Sequence, residues 1–174
     1  MSKKSKLQKV AQKAQPTDKN VVALLLKDHR AMKKLMEKIK SPRSKPSQIF
    51  SAFKKLEKLV HSHMRAEETS LLHKLKGHEK FEDQVEEGIE EHKIHETVIA
   101  GIHRLKDKGR KVTQIKIFCE FLEHHLEEEE TELFPQFNKY AALSTRKKMG
   151  ATFMKRRKAT HSSRVRPVGA LASY

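Results

Sequence analysis

Two short stretches of this chain place histidine and carboxylate where one helical face would carry both. In HMRAEETSLL, residues 63–72, His63 and Glu67 are four apart, and in HLEEEETELFP, residues 125–135, His125 and Glu129 repeat that spacing. A helix turns about 100° and rises about 1.5 Å per residue, so each pair shares a face, about 6 Å apart along the axis. KDHR and EEHK add His29 and His92, each directly after an acid, Asp28 or Glu91. Imidazole with carboxylate suits Fe, Mn, Zn or Cu, and the lone thiol, Cys119, cannot build a thiolate site. Two carboxylates between two histidine pairs can bridge two ions and leave positions open for a small ligand, which favours iron. HExxH, P-loop and GxGxxG patterns are absent, and no dedicated acid, base or substrate pocket can be read.

The elements that must position these residues follow from apolar spacing. Residues 20–40 carry Val22, Leu25, His29, Met32, Met36 and Ile39 at intervals of three and four, which predicts an amphipathic helix. SPRSKPS breaks it, and Ser47 is positioned to cap a second helix over residues 46–76, ended by Gly77. The third is expected over 79–108, with Gly109 at its end, and the fourth over 113–140. Short loops between helices of this length force neighbours to run up and down, so the fold class is all-α, an antiparallel four-helix bundle. Its inner stripes carry His29, His63, Glu67, His92, His125 and Glu129, and a buried ionisable group is costly unless paired or bound to a cation.

An internal repeat reinforces this convergence. KDHRAMKKLMEKI aligns with EEHKIHETVIAGI 63 residues on, and HMRAEETSLL with HLEEEETELF 62 residues on. Asp28 and His29 thereby match Glu91 and His92, and His63, Glu67 and Glu68 match His125, Glu129 and Glu130. Two hairpins of one design about a pseudo-two-fold axis would face two sets of His, His and Glu, a site for two metals. Asp28, Glu68, Glu91 and Glu130 stand beside these residues as candidate supporting acids.

Charge divides the chain differently. Of the net +16, residues 1–19 hold six Lys and one Asp, and residues 139–174 hold ten Lys or Arg and no acid. The remainder is therefore close to neutral, and the chain reads as a basic N-terminal tail (1–19), a bundle (20–140) and a basic C-terminal tail (141–174). Within the latter, residues 144–160 suit a short helix touching the bundle through Met149, Phe153 and Met154, and SSRVRPVGALASY reads as disordered. RKK (146–148) and KRRK (155–158) suit non-specific nucleic acid or another acidic partner, although Phe153 alone interleaves them. The alternative function is therefore a metal-stabilised helical module attached to a polyanion by its tails. No apolar run spans a membrane and no secretory signal is legible, so the expected location is cytoplasmic.

DHR at His29, HxxxEE at His63, EH at His92 and HxxxEExxLFP at His125 resemble the hemerythrin-like, HHE cation-binding family over about residues 20–140. The resemblance implies a bundle enclosing a non-haem di-iron centre, two Fe ions with an oxo or hydroxo bridge, that binds or reacts with O2, peroxide or NO. By position His29, His63, Glu67, His92, His125 and Glu129 match the family's ligands, and Zn or Mn also suit them. The oxygen-carrying branch has two histidines four apart on its third helix and HxxxxD on its fourth, whereas here His92 is followed by Glu96, and the fourth helix reads HxxxE. A carboxylate-richer set favours oxidised metals and tilts the reading toward sensing, detoxification or iron handling rather than simple O2 carriage. Turnover of a substrate is left open, as is whether His95 or Glu96 joins the site. His61, His73, His78, His103, His124 and His161 are expected at the surface, and Glu127, Glu128 and Glu132 on a solvated face.

Overall fold

The computed structural model describes residues 19–162; the stretches 1–18 and 163–174, which hold most of the expected N-terminal tail and of SSRVRPVGALASY, lie outside the described residues. All regular structure among the described residues is helical. Helix α1, Val21–Lys40, starts where the Asn20 side chain accepts a hydrogen bond from the Ala23 N–H at 3.1 Å. Helix α2, Pro46–Glu67, starts on proline rather than on a Ser47 cap. Pro46 has no N–H to satisfy, and the Gln48 side chain accepts from the Lys45 N–H at 2.9 Å. The helix runs on through a π-helical turn, Glu68–Leu72, to Leu75, and Gly77 at φ +76° reverses the chain in a conformation that favours glycine.

Two boundaries differ from the sequence expectation. After a 3-10 turn, Glu79–Phe81, helix α3 spans Glu82–Arg104, and helix α4 begins at Lys108 rather than residue 113. The Asp107 carboxylate accepts from the Arg110 N–H at 2.7 Å, so a capped start overrides the glycine, and Gly109 lies in the first turn of α4 rather than at the end of α3. Helix α4, Lys108–Glu128, passes through a second π-helical turn, Glu129–Leu133, and continues over Phe134–Tyr140.

Cross-helix bonds give the directions. His92 meets Glu68 while Arg65 meets Glu96 and His103 meets Glu57, so α2 and α3 are antiparallel. His29 and Lys33 meet Glu130 and Lys40 meets Glu123, which sets α1 against α4 in the same sense. Two apolar clusters form the core. One gathers Leu25, Leu71, Phe81, Leu133 and Phe137, the other Met36, Leu56, Val60, Phe118 and Leu122. The buried histidines and glutamates lie near the point on each helix where one cluster gives way to the other.

The described residues form five helices, one more than the expected bundle. Helix α5, Leu143–Ser162, packs along α1 and α2. Met149 and Phe153 enter the first apolar cluster with Val21, Ala66 and Leu71, whereas Met154 is exposed. Burying a phenylalanine and a methionine stabilises this docking by roughly 2–3 kcal/mol for each side chain. Gly150 permits the approach, because a Cβ there would lie 1.9 Å from the Lys19 carbonyl oxygen. Arg157, from the KRRK run, forms an ion pair with Asp28 at 2.8 Å and so serves the fold.

Candidate metal centre

Each of the six sequence-predicted residues comes from an inner helical stripe, and all six are buried. His29 is on α1, His63 and Glu67 on α2, His92 on α3, and His125 and Glu129 on α4, with Glu129 opening the second π-helical turn. Glu67 Oε2 lies 3.4 Å from His63 Nε2 and 3.7 Å from His92 Nε2. Glu129 lies 3.3 Å from His29 Nε2 through one oxygen and 3.6 Å from His125 Nε2 through the other. Two donor groups result: Glu67, His92, His125 and Glu129, and His29, His63 and Glu129, with donor atoms in each group within 4.8 Å of one another. Glu129 belongs to both.

The opposite edge of each imidazole meets an acid from another helix. His29 Nδ1 is 3.0 Å from Glu130, His92 Nδ1 3.0 Å from Glu68, and His125 Nδ1 2.6 Å from Glu91. His63 Nδ1 is 3.6 Å from Asp28, an ion-pair separation too long for a hydrogen bond. The pairings obey the sequence repeat: His29 takes its acid from α4 as His92 does from α2, and His63 takes its from α1 as His125 does from α3. A carboxylate behind Nδ1 holds the proton there and turns Nε2 into a lone-pair donor.

The inward atoms have no partner of their own. The Nε2 atoms of His29, His63, His92 and His125 and both oxygens of Glu67 and Glu129 are buried without a hydrogen bond. Such groups cost free energy unless something binds them, and lone pairs converging from four imidazoles and two carboxylates fit a pair of divalent cations.

The electrostatics reflect this crowding. Burial and the neighbouring Glu67 charge push the Glu129 carboxyl up to about 8. Burial also works against the Glu67 carboxylate, but the His63 imidazole 3.4 Å away and the other histidine charges around it hold it down at about 2. Together the two behave as one carboxylate and one carboxylic acid. His63 is desolvated too, yet Asp28 and Glu67 on either side raise it to about 10. Burial lowers His29 and His92 despite their acids, whereas the Glu129 charge and the Glu91 bond lift His125 against the same penalty.

Residues near the centre divide clearly. His95 is buried, its ring 5.2 Å from that of His125 and 5.7 Å from Phe118, and burial with the His125 and His92 charges drives it down to about 3. Glu96 is turned away, bonded to Arg65 at 3.3 Å and 3.7 Å from His61, so it adds no carboxylate to the centre. One position beyond His95 on α3, it faces α2, while His95 faces α4. Arg157 is the participant that sequence reasoning missed, since KRRK looks like solvated charge and its docking depends on Phe153 four residues earlier. His73, His103 and His124 are exposed as expected, and His78 is half-buried with Nε2 2.7 Å from the Tyr140 hydroxyl.

A small cleft open to solvent reaches the centre between α3 and α4. Gln84, Glu87, Glu91, Glu128 and Glu132 line it, with buried His125 and Glu129 at its base. Glu128 and Glu132 were expected merely to face solvent.

The helical fold and buried centre define a cation-binding class built on histidine and glutamate. Within that class the chain belongs to the Hemerythrin HHE cation binding domain family, whose model matches residues 20–151. No curated protein and no solved structure matches the chain. No described helix is long and apolar enough to cross a membrane.

Proposed function

We propose that this chain is a non-haem di-iron protein whose ligands are His29, His63, Glu67, His92, His125 and Glu129, and that it binds or reacts with O2, peroxide or NO. The observation that carries the reading is the pair of donor groups joined through Glu129, with every inward donor atom unpartnered. Imidazole with carboxylate favours iron over soft metals, and zinc or manganese would occupy the same donors. When bound, iron supplies redox change and Lewis acidity toward a small oxygen or nitrogen-oxide ligand.

The chain's own residues prepare that chemistry. Asp28, Glu68, Glu91 and Glu130 orient the four imidazoles and raise their basicity. In the metal-free centre Glu129 holds a proton that cation binding would displace. The Phe134 ring, 5.4 Å from that of His29, and the Phe153 ring, 6.3 Å from that of His63, exclude water from one side. The His29–His63 group has one donor fewer than its counterpart, so an ion held there would keep a coordination position for a small ligand. With Glu96 outside the centre, the case against simple O2 carriage rests on the HxxxE spacing of α4 rather than on an extra carboxylate from α3.

The test is metal analysis of protein purified without added metal, followed by ferrous loading and titration with azide. Two irons per chain and an azide-sensitive visible absorption are expected; two tightly held zincs and no iron would refute the di-iron reading. His63→Ala should lose most of the metal and much of the helical stability.

A further inference from the structure

The repeat that duplicates the ligands does not duplicate what lies outside them. On α3 and α4 the route from solvent to Glu129 passes Glu87, Glu91, Glu128 and Glu132. The matching positions on α1 and α2 are Leu24, Asp28, Ala66 and Ser70. That second route is closed: Val21, Leu25 and Ala66 are fully buried against Phe153 and Met149 of α5, and Asp28 is held by Arg157. One of two equivalent approaches is thus apolar and sealed, the other open and acidic.

At the base of the open approach the Glu129 oxygens and His125 Nε2 are buried and unpartnered, so the acids lead to atoms that lack a ligand. No lysine or arginine lines the cleft, although the chain carries 38 of them. A cleft lined by one sign of charge between low-dielectric walls concentrates counter-ions and speeds their capture. A neutral diatomic ligand gains nothing from such a lining.

We propose that the α3–α4 cleft is the entry port through which divalent cations reach the buried donors, with Glu87, Glu128 and Glu132 drawing the ion in and Glu129 receiving it. This rests on the metal-centre reading above. The acids at the rim set the rate of loading, and the six buried residues set its endpoint.

The test is stopped-flow uptake of Co2+ by the metal-free full chain, followed by cobalt's visible absorption at low and high salt. Replacing two exposed rim acids, Glu87→Gln with Glu132→Gln, should slow loading roughly tenfold at low ionic strength and flatten its salt dependence. The final amount of bound Co2+ should not change. The matched control, Glu37→Gln with Glu120→Gln, removes the same charge elsewhere and should load at the wild-type rate, while Gln84→Glu should load faster. Equal rates in the rim variant and wild type, or equal slowing by the control, would overturn the port and leave the metal centre standing. Failure of the wild type to take up Co2+ at all would overturn both.

Discussion

The α1–α2 and α3–α4 hairpins present matched donors to the bundle centre and opposite surfaces to the outside. His29, His63 and Glu67 correspond one for one to His92, His125 and Glu129, and the acids behind the imidazoles correspond too. Outward from that shared interior, Leu24, Ala66 and Ser70 stand where the other half has Glu87, Glu128 and Glu132. Every polar atom near the centre needs a partner, so a change on either half would strand a buried group on the other. The outer positions carry no such demand. One half has therefore become a seat for α5 and the other a solvent-facing channel.

That contrast can be broken most forcefully at Phe153. Phe153→Ala empties a fully buried site between α5 and the first hairpin and should cost about 4 kcal/mol in urea unfolding of the metal-free protein. Glu132→Ala, on the exposed rim of the other hairpin, should stay within about 0.5 kcal/mol. Comparable losses would mean that the halves are equally packed.

Gly150→Ala attacks the same seat through the backbone. Its Cβ would overlap the Lys19 carbonyl, so α5 must shift, at an expected cost of about 3 kcal/mol on the same measurement.

A pH series addresses the shared interior. In the metal-free protein Glu129 and His63 bind their protons more tightly than unfolded chain does, to about 8 and about 10, so their contribution is present at low pH and lost as pH rises through those values. The histidines held down by burial act the other way and are spent by pH 7. Between pH 7 and 8 metal-free protein should thus lose about 2 kcal/mol, whereas metal affinity should climb as the same protons become easier to displace. Urea midpoints with and without chelator at both pH values test the opposed slopes.

The smallest effect sharpens the contrast. Arg157→Gln leaves Asp28 buried with a weaker partner and should cost about 1 kcal/mol. Metal affinity of the His29–His63 side should fall with it.

Much of this was legible because the ligands obey short-range rules. Helical spacing places His63 with Glu67 and His125 with Glu129, and the repeat predicts the match between hairpins before any coordinates. What escaped depends on interactions distant in sequence or on local backbone departures. Helix α5 and its contacts through Met149 and Phe153 were expected, but not the ion pair of Arg157 with Asp28, which joins residues 129 apart. Glu96 shares the i+4 relation that marks a ligand elsewhere, yet Arg65 and His61 on α2 claim it. The π-helical turns after Glu67 and at Glu129 have no compositional mark, although such turns gather at functional sites.

The acids behind the imidazoles also fix the valence of the bundle's interior. Glu67 and Glu129 with Asp28, Glu68, Glu91 and Glu130 make six anionic groups, and Arg157 and Lys33 answer two of them. Once the protons on Glu129 and His63 are displaced, the imidazoles are neutral and four negative units stay unanswered, the charge that the two divalent ions proposed above would balance.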